Sequence, residues 1–182
     1  GYLRVLLEHD RQDRRDFPSR GIHARLLAEH GDPDLGSDGH FRHYTARASV
    51  AGMAAGTVLE ASMLAEHLDD DGGITLVPPV LGGPLEMSAF VRGELIGDNV
   101  AMARFSASRR VSRRALLESW AGVGLEAGGA WSGNVGDLAS DDVHGVLSAF
   151  IGMATPLGPL RLVGGLAEGG RSALHLQLGR QF

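Results

Sequence analysis

The last nine residues, "LHLQLGRQF" (174–182), carry the pattern on which the fold turns. Leu174, Leu176, Leu178 and Phe182 share one parity, while His175, Gln177, Gly179 and Gln181 share the other. A period of two is the signature of a β-strand with one apolar and one polar face. Chain ends are usually frayed and polar, whereas this one reads as pinned into a sheet.

The same alternation recurs upstream. Leu3, Val5 and Leu7 oppose Arg4, Glu8 and Asp10; Ile22, Ala24, Leu26 and Ala28 oppose His23, Arg25 and Glu29. Tyr44, Ala46, Ala48 and Val50 oppose His43, Thr45, Arg47 and Ser49; Leu59, Ala61, Met63 and Ala65 oppose Glu60, Ser62 and Glu66. Ala101, Ala103, Phe105 and Ala107 oppose Arg104, Ser106, Ser108 and Arg110; Ala121, Val123, Leu125 and Ala127 oppose Glu118, Gly122, Gly124 and Glu126. With "GVLSAFIGM", "PLRLVGGLA" and the final segment, about nine strands of about 9–13 residues are expected, against about 5–6 in ordinary globular sheets. Membrane-spanning strands need about 9–11. Charges recur at mid-strand on the polar face, which suits a wet lumen, and the opposite apolar face suits lipid.

Composition narrows the function classes. The chain has 182 residues, a net charge of −5, no cysteine and 27 glycines, and its basic residues are all arginine. The acidic balance gives no support to a nucleic-acid partner, and the absence of cysteine removes disulfides and thiolate metal sites. No apolar run approaches the roughly 18 residues of a membrane helix. The connections alternate in length. Short ones ("RQDRRDFPSRG", "AGMAAG", "RRVSRRA", "TPLGP") collect arginine; long ones (31–40, 68–99 and 129–142) collect aspartate, and "EGGRS" is short where a long one is due. Membrane barrels of one bacterial chain have short turns at one end, longer loops at the other and an even strand number. Nine strands, and a first residue that already opens one, lead us to expect the C-terminal portion of a larger barrel, with residues 1–182 as one barrel domain.

Several segments resemble the bacterial surface antigen superfamily, the barrels of outer-membrane assembly factors. These are "EHDRQDRRDFPSRG" (8–21), "FVRGELIGDN" (90–99), "LEAGGAW" (125–131), "TPLGPLRL" (155–162) and the aromatic-ended terminus. The resemblance implies an all-β, antiparallel up-and-down transmembrane barrel, here about nine strands of sixteen. It also implies a bacterial outer-membrane location, with the lipid bilayer and the barrel-assembly machinery as partners. Leu174, Leu176, Leu178 and Phe182 would form the C-terminal assembly signal. In the family, the long loop folds back into the barrel and its arginine pairs with an inner-wall acid. The matching residues here are Arg92, beside Gly93, and Glu126, where the family more often has aspartate.

A finer likeness, over 77–104, 124–131 and 164–180, is to barrels attached to patatin-like phospholipases. It implies an upstream patatin domain in the same polypeptide, which this barrel would anchor and could export. The alternatives are an assembly or secretion factor barrel of the same superfamily, and a soluble all-β binding protein. A patatin lipase needs a G-x-S-x-G elbow, which this chain lacks, so no catalytic residue, cofactor or metal is expected here. Asp71-Gly72-Gly73 mimics the lipase aspartate motif without a serine to serve. His23, His43, His144 and His175 lack ligand spacing and read as lumenal hydrogen-bonding groups. Asp32, Asp34 and Asp38 offer oxygens for calcium but lack the bidentate glutamate. Trp120 and Trp131 read as interface-belt residues.

Deleting Phe182, or replacing it with alanine, removes the large apolar ring at the strand end. Less full-length protein should reach the outer membrane, measured by fractionation and immunoblotting; unchanged levels would contradict the assembly-signal reading.

Overall fold

A computed structural model describes residues 1–71, 76–112 and 118–179. In chain order the strands are β1 (Tyr2–Asp10), β2 (Gly21–Gly31), β3 (Phe41–Ala54), β4 (Thr57–Asp70), β5 (Val80–Leu81), β6 (Leu95–Ile96), β7 (Asn99–Ser112), β8 (Ser119–Trp131), β9 (His144–Thr155), β10 (Gly158–Ala167) and β11 (Ser172–Leu178). Nine form one antiparallel sheet in the order β1-β2-β3-β4-β7-β8-β9-β10-β11; β5 and β6 pair separately inside the long loop. Each wall strand therefore lies beside its neighbour in sequence, the up-and-down meander of a barrel wall. Phe182 lies outside the described residues.

Some strands run longer than the alternation suggests. β3 and β4 each have 14 residues, because pairing continues through Ala51–Ala54, where the apolar–polar alternation has already lapsed, until the chain reverses. The reversal takes two residues, Ala55 and Gly56, with φ of 49° and 77°. Positive φ at both positions is the primed turn that matches strand twist.

Register converts parity into faces. Leu26 lies opposite Leu7 and Ala46, Ala46 opposite Ala65, and Ala65 opposite Ala101. On this outer face Phe105, Val123, Leu125, Leu147 and Leu174 are all exposed. On the inner face Arg104, Ser106, Glu126 and Ser148 are buried, although charged or polar. Inserted segments cover the inner residues: the long loop, described over residues 76–98, lies against the inner face, and the β1–β2 turn enters from the opposite end. The loop's Leu81, Met87, Ala89 and Phe90 cluster with Leu64, Val100, Met102 and Val146 of the wall. Each fully buried side chain of this size is worth about 1.5–3 kcal/mol. The inner face is thus apolar near the long-loop end and polar toward the middle.

Trp120 departs from the interface-belt expectation. Its even parity turns it inward, where it is buried and stacks on Phe17 at 4.3 Å. Trp131 lies on the outer parity but is covered by the following loop, with its indole N–H donating to the Asn134 carbonyl (3.1 Å).

Leu125 is 63% exposed on the outer face. Leu125→Arg should destabilise the inserted protein by about 2–4 kcal/mol if that face meets lipid at mid-depth. The cost should be within about 0.5 kcal/mol if the face meets water. Urea unfolding of the full-length protein in bilayers reads the difference.

Candidate functional site: a latch inside the barrel wall

The site is built by the tip of the long loop and the inner wall beneath it. The tip passes through left-handed backbone at Gly83 (φ 114°), Leu85 (φ 67°) and Met87 (φ 62°). Such conformations cost non-glycine residues of order 1–3 kcal/mol and persist only where surroundings impose them. Here they aim Ser88 at the wall.

Ser88 is held from three strands. Its backbone N–H donates to Glu126 Oε2 (2.6 Å) and its hydroxyl to Glu126 Oε1 (2.7 Å). Its carbonyl accepts from His175 Nε2 on β11 (3.0 Å). Below it, Gly165 of β10 is a close approach: a Cβ there would collide with the Ser88 carbonyl group and Ala89 N. Buried charge-assisted hydrogen bonds of this kind are short and strong. Glu126 takes its countercharge from Arg104, its cross-strand partner, with Nε 3.6 Å from Oε1. Both side chains are almost wholly shielded, and Arg104 Nε and Nη2 have no hydrogen-bond partner among the described residues. A guanidinium this deep depends on nearby carboxylates for its stability.

The expected Arg92–Glu126 pair does not form. Glu126 has both oxygens occupied by Ser88 and its charge met by Arg104. Arg92 is exposed at the crest of a turn closed by the Glu94 N–H on the Val91 carbonyl (3.1 Å). Gly93, with φ 78°, supplies the positive φ of the third residue of a type II turn. The motif therefore shapes the loop without latching it, and its neighbour Glu94 bonds Arg171. A second tie runs from Glu86 to Arg47 of β3 (2.6 Å). The loop is fastened to both sides of the wall.

The short turn between β1 and β2 inserts from the opposite end. Phe17 stacks on Trp120 and lies over Gly152, with the Arg161 guanidinium 4.8 Å from its ring. Arg161 also donates to the Asp16 carbonyl, and Arg14 pairs with Glu118 (2.6 Å). Asp13 holds the turn's shape by accepting from the Ser19 and Arg20 amides (2.8 and 3.0 Å) and the Ser19 hydroxyl. Slight burial works to raise its pKa, but these donors outweigh it and hold the carboxyl below its usual value. Between turn and loop lies a polar cavity of ≈ 270 Å³, lined by Arg15, Asp16, Glu60, Glu86, Arg104 and Arg161. Three arginines face three carboxylates, so the chamber is charge-balanced.

The other sequence candidates fall outside this latch, apart from His175. His43 bridges Glu29 (2.8 Å) and Glu66 (2.7 Å), and His144 packs on Phe90; His23 makes a weaker contact with Glu8 (3.4 Å). Asp32 caps a short helical turn by accepting from the Asp34 amide (2.8 Å) and faces His40 (3.3 Å). Leu174, Leu176 and Leu178 lie exposed on the outer face. Ser88 and Gly165 lie within the stretches of likeness at 77–104 and 164–180, but no spacing singles either of them out.

Neither a protein-family model nor a curated protein matches this chain. Among solved structures it is similar to the crystal structure of BamA from Haemophilus ducreyi lacking POTRA domains 1-3, with a TM-score of 0.76 and 14% identity. The match covers 97% of this chain and 40% of that chain. The nine-stranded wall therefore has the fold of part of that structure, and the chain spans less than half of the matched chain's length.

Glu126→Gln should cost about 1.5–3 kcal/mol, the worth of a hydrogen bond to a charged group. Ser88→Ala should couple to it by at least about 0.5 kcal/mol. Arg92→Ala should change stability by less than about 0.5 kcal/mol. Protease susceptibility of the loop in the full-length protein, followed against urea, measures all three.

Proposed function

We propose that this chain is the wall of a bacterial outer-membrane β-barrel whose lumen is closed by an inserted loop, and that the barrel holds another part of the same polypeptide at the membrane. The observation that carries the reading is the inverted distribution of side chains: apolar residues exposed outside, ion pairs buried inside. Water would reverse that order, whereas a hydrocarbon exterior and a filled lumen favour it. The edge strands β1 and β11 need partners in lipid, as a closed barrel provides.

Two finer readings share this architecture. In the first, the barrel anchors and exports an upstream patatin-like phospholipase; its support is the resemblance over 77–104, 124–131 and 164–180. In the second, it is an assembly or secretion barrel working with the barrel-assembly machinery; its support is the likeness to the BamA barrel. In both, residues 1–182 contribute no catalytic group.

The test uses the full-length protein. It should fractionate with outer membranes and migrate differently on gels before and after heating. A serine-hydrolase probe that labels it outside residues 1–182, with phospholipid hydrolysis, selects the phospholipase reading. No labelling, together with loss of other barrels from the membrane on depletion, selects the assembly reading. A protein that stays soluble without detergent and shows no heat shift overturns the proposal.

A further inference from the structure

The outer face carries a groove that the latch does not involve. Its volume is ≈ 520 Å³, within the roughly 300–1,000 Å³ that small-molecule sites occupy. Its floor is the cross-strand row Ala46, Ala65 and Ala101, paired in register across β3, β4 and β7. Alanines leave the backbone surface open to close approach, and the gap is bounded by larger side chains. Leu7 and Leu26, opposite each other on β1 and β2, stand on one side. On the other side the β8–β9 loop brings Val135 and Leu138 to the groove.

Three features identify the occupant. First, Val135 and Leu138 are substantially exposed in a loop that otherwise displays Asp137, Asp141 and Asp142; such side chains fit an apolar guest rather than water. Second, the next row toward the long loops is Tyr44, His67, Asn99 and Trp131. Tyr44 and His67 stack at 6.3 Å, His67 Nδ1 bonds Asn99 Oδ1 (2.7 Å), and Asn99 Nδ2 donates to the Gly133 carbonyl (2.9 Å). A row of aromatic and amphipathic side chains marks the level where hydrocarbon gives way to headgroups. Third, the groove lies directly below that row, on the side of the mid-strand apolar residues Phe105 and Leu125.

We infer that this groove is a specific site for one acyl chain of a bilayer lipid, in the leaflet on the long-loop side. The inference rests on the outer-membrane reading above. The chain lies along the alanine floor, dispersion contacts from both walls replace those with neighbouring lipids, and the Tyr44–His67 shelf sets the depth of the headgroup.

The experiment reconstitutes the full-length protein in bilayers with a phospholipid bearing a diazirine in its acyl chain, and maps the adducts by peptide mass spectrometry. Adducts on the segments around Ala65, Ala101 and 132–142 should exceed several-fold those on the equally lipid-facing Leu147–Ile151. Ala65→Leu with Ala101→Leu should lower them to the Leu147–Ile151 level while heat-modifiable migration persists. Should that variant fail to fold, Val135→Asp with Leu138→Ser fills the same role from the loop, away from the wall. Uniform labelling of the outer face, meaning annular lipid only, overturns the inference. So does labelling unchanged in the groove variants, or crosslinking of the groove to a second copy in place of lipid. A full-length protein that does not enter bilayers at all removes the outer-membrane reading itself, a separate result visible before any adduct is mapped.

Discussion

Two hydrogen bonds from Ser88 to the buried Glu126 carboxylate govern the arrangement of the interior. Glu126 is shielded from solvent on β8, and a carboxylate there is tolerable only with donors and a countercharge. Arg104 supplies the charge, and Ser88 supplies the donors. Once Ser88 is committed, the loop must follow a path through Leu85 and Met87 that these residues would otherwise avoid. That path places Phe90 and Leu81 on Val100 and Met102, and the apolar patch on the inner wall finds its cover. Charge, strain and burial thus converge on one contact.

Much of the architecture could be read from alternation, because a strand in a two-faced wall writes its period into every second residue. Arg104, Glu126 and His175 fell on the inner parity, and they are inner residues in the structure. What escaped had physical reasons. β5 and β6 are two residues each, too short for a period to show. The inner patch of Leu64, Met102 and Val146 reads as noise within a polar face until a loop is known to cover it. The family resemblance points to Arg92 as the latch, a guanidinium set against a carboxylate. A backbone amide and a serine hydroxyl do the work instead, and which amide arrives depends on the loop's course, to which side-chain identity is a poor guide. Trp120 was legible by parity, but the general habit of tryptophan at membrane interfaces hid it.

The two inserted segments divide the inner space. The loop descends from one end to Glu86 and Ser88, and the β1–β2 turn rises from the other to Phe17. The chamber between them is small and balanced in charge. Both segments are held by ion pairs, but each adds contacts of its own kind: the loop hydrogen bonds to a buried carboxylate, the turn ring stacking and a cation over an aromatic face. Loss of the rings therefore loosens the turn and leaves the loop's seat on Glu126 in place.

The order of the wall strands bears on the sequence of events in folding. Every wall strand pairs with its neighbour along the chain, so the sheet can grow hairpin by hairpin from contacts of short sequence separation, which form fastest. Ser88 is an exception to that locality. Its partners sit on β8, β10 and β11, so its full set of contacts cannot exist until the last strand has joined. Docking of the loop is then a late event that reports the pairing of β8, β10 and β11, and a wall without β11 leaves the Ser88 carbonyl without His175.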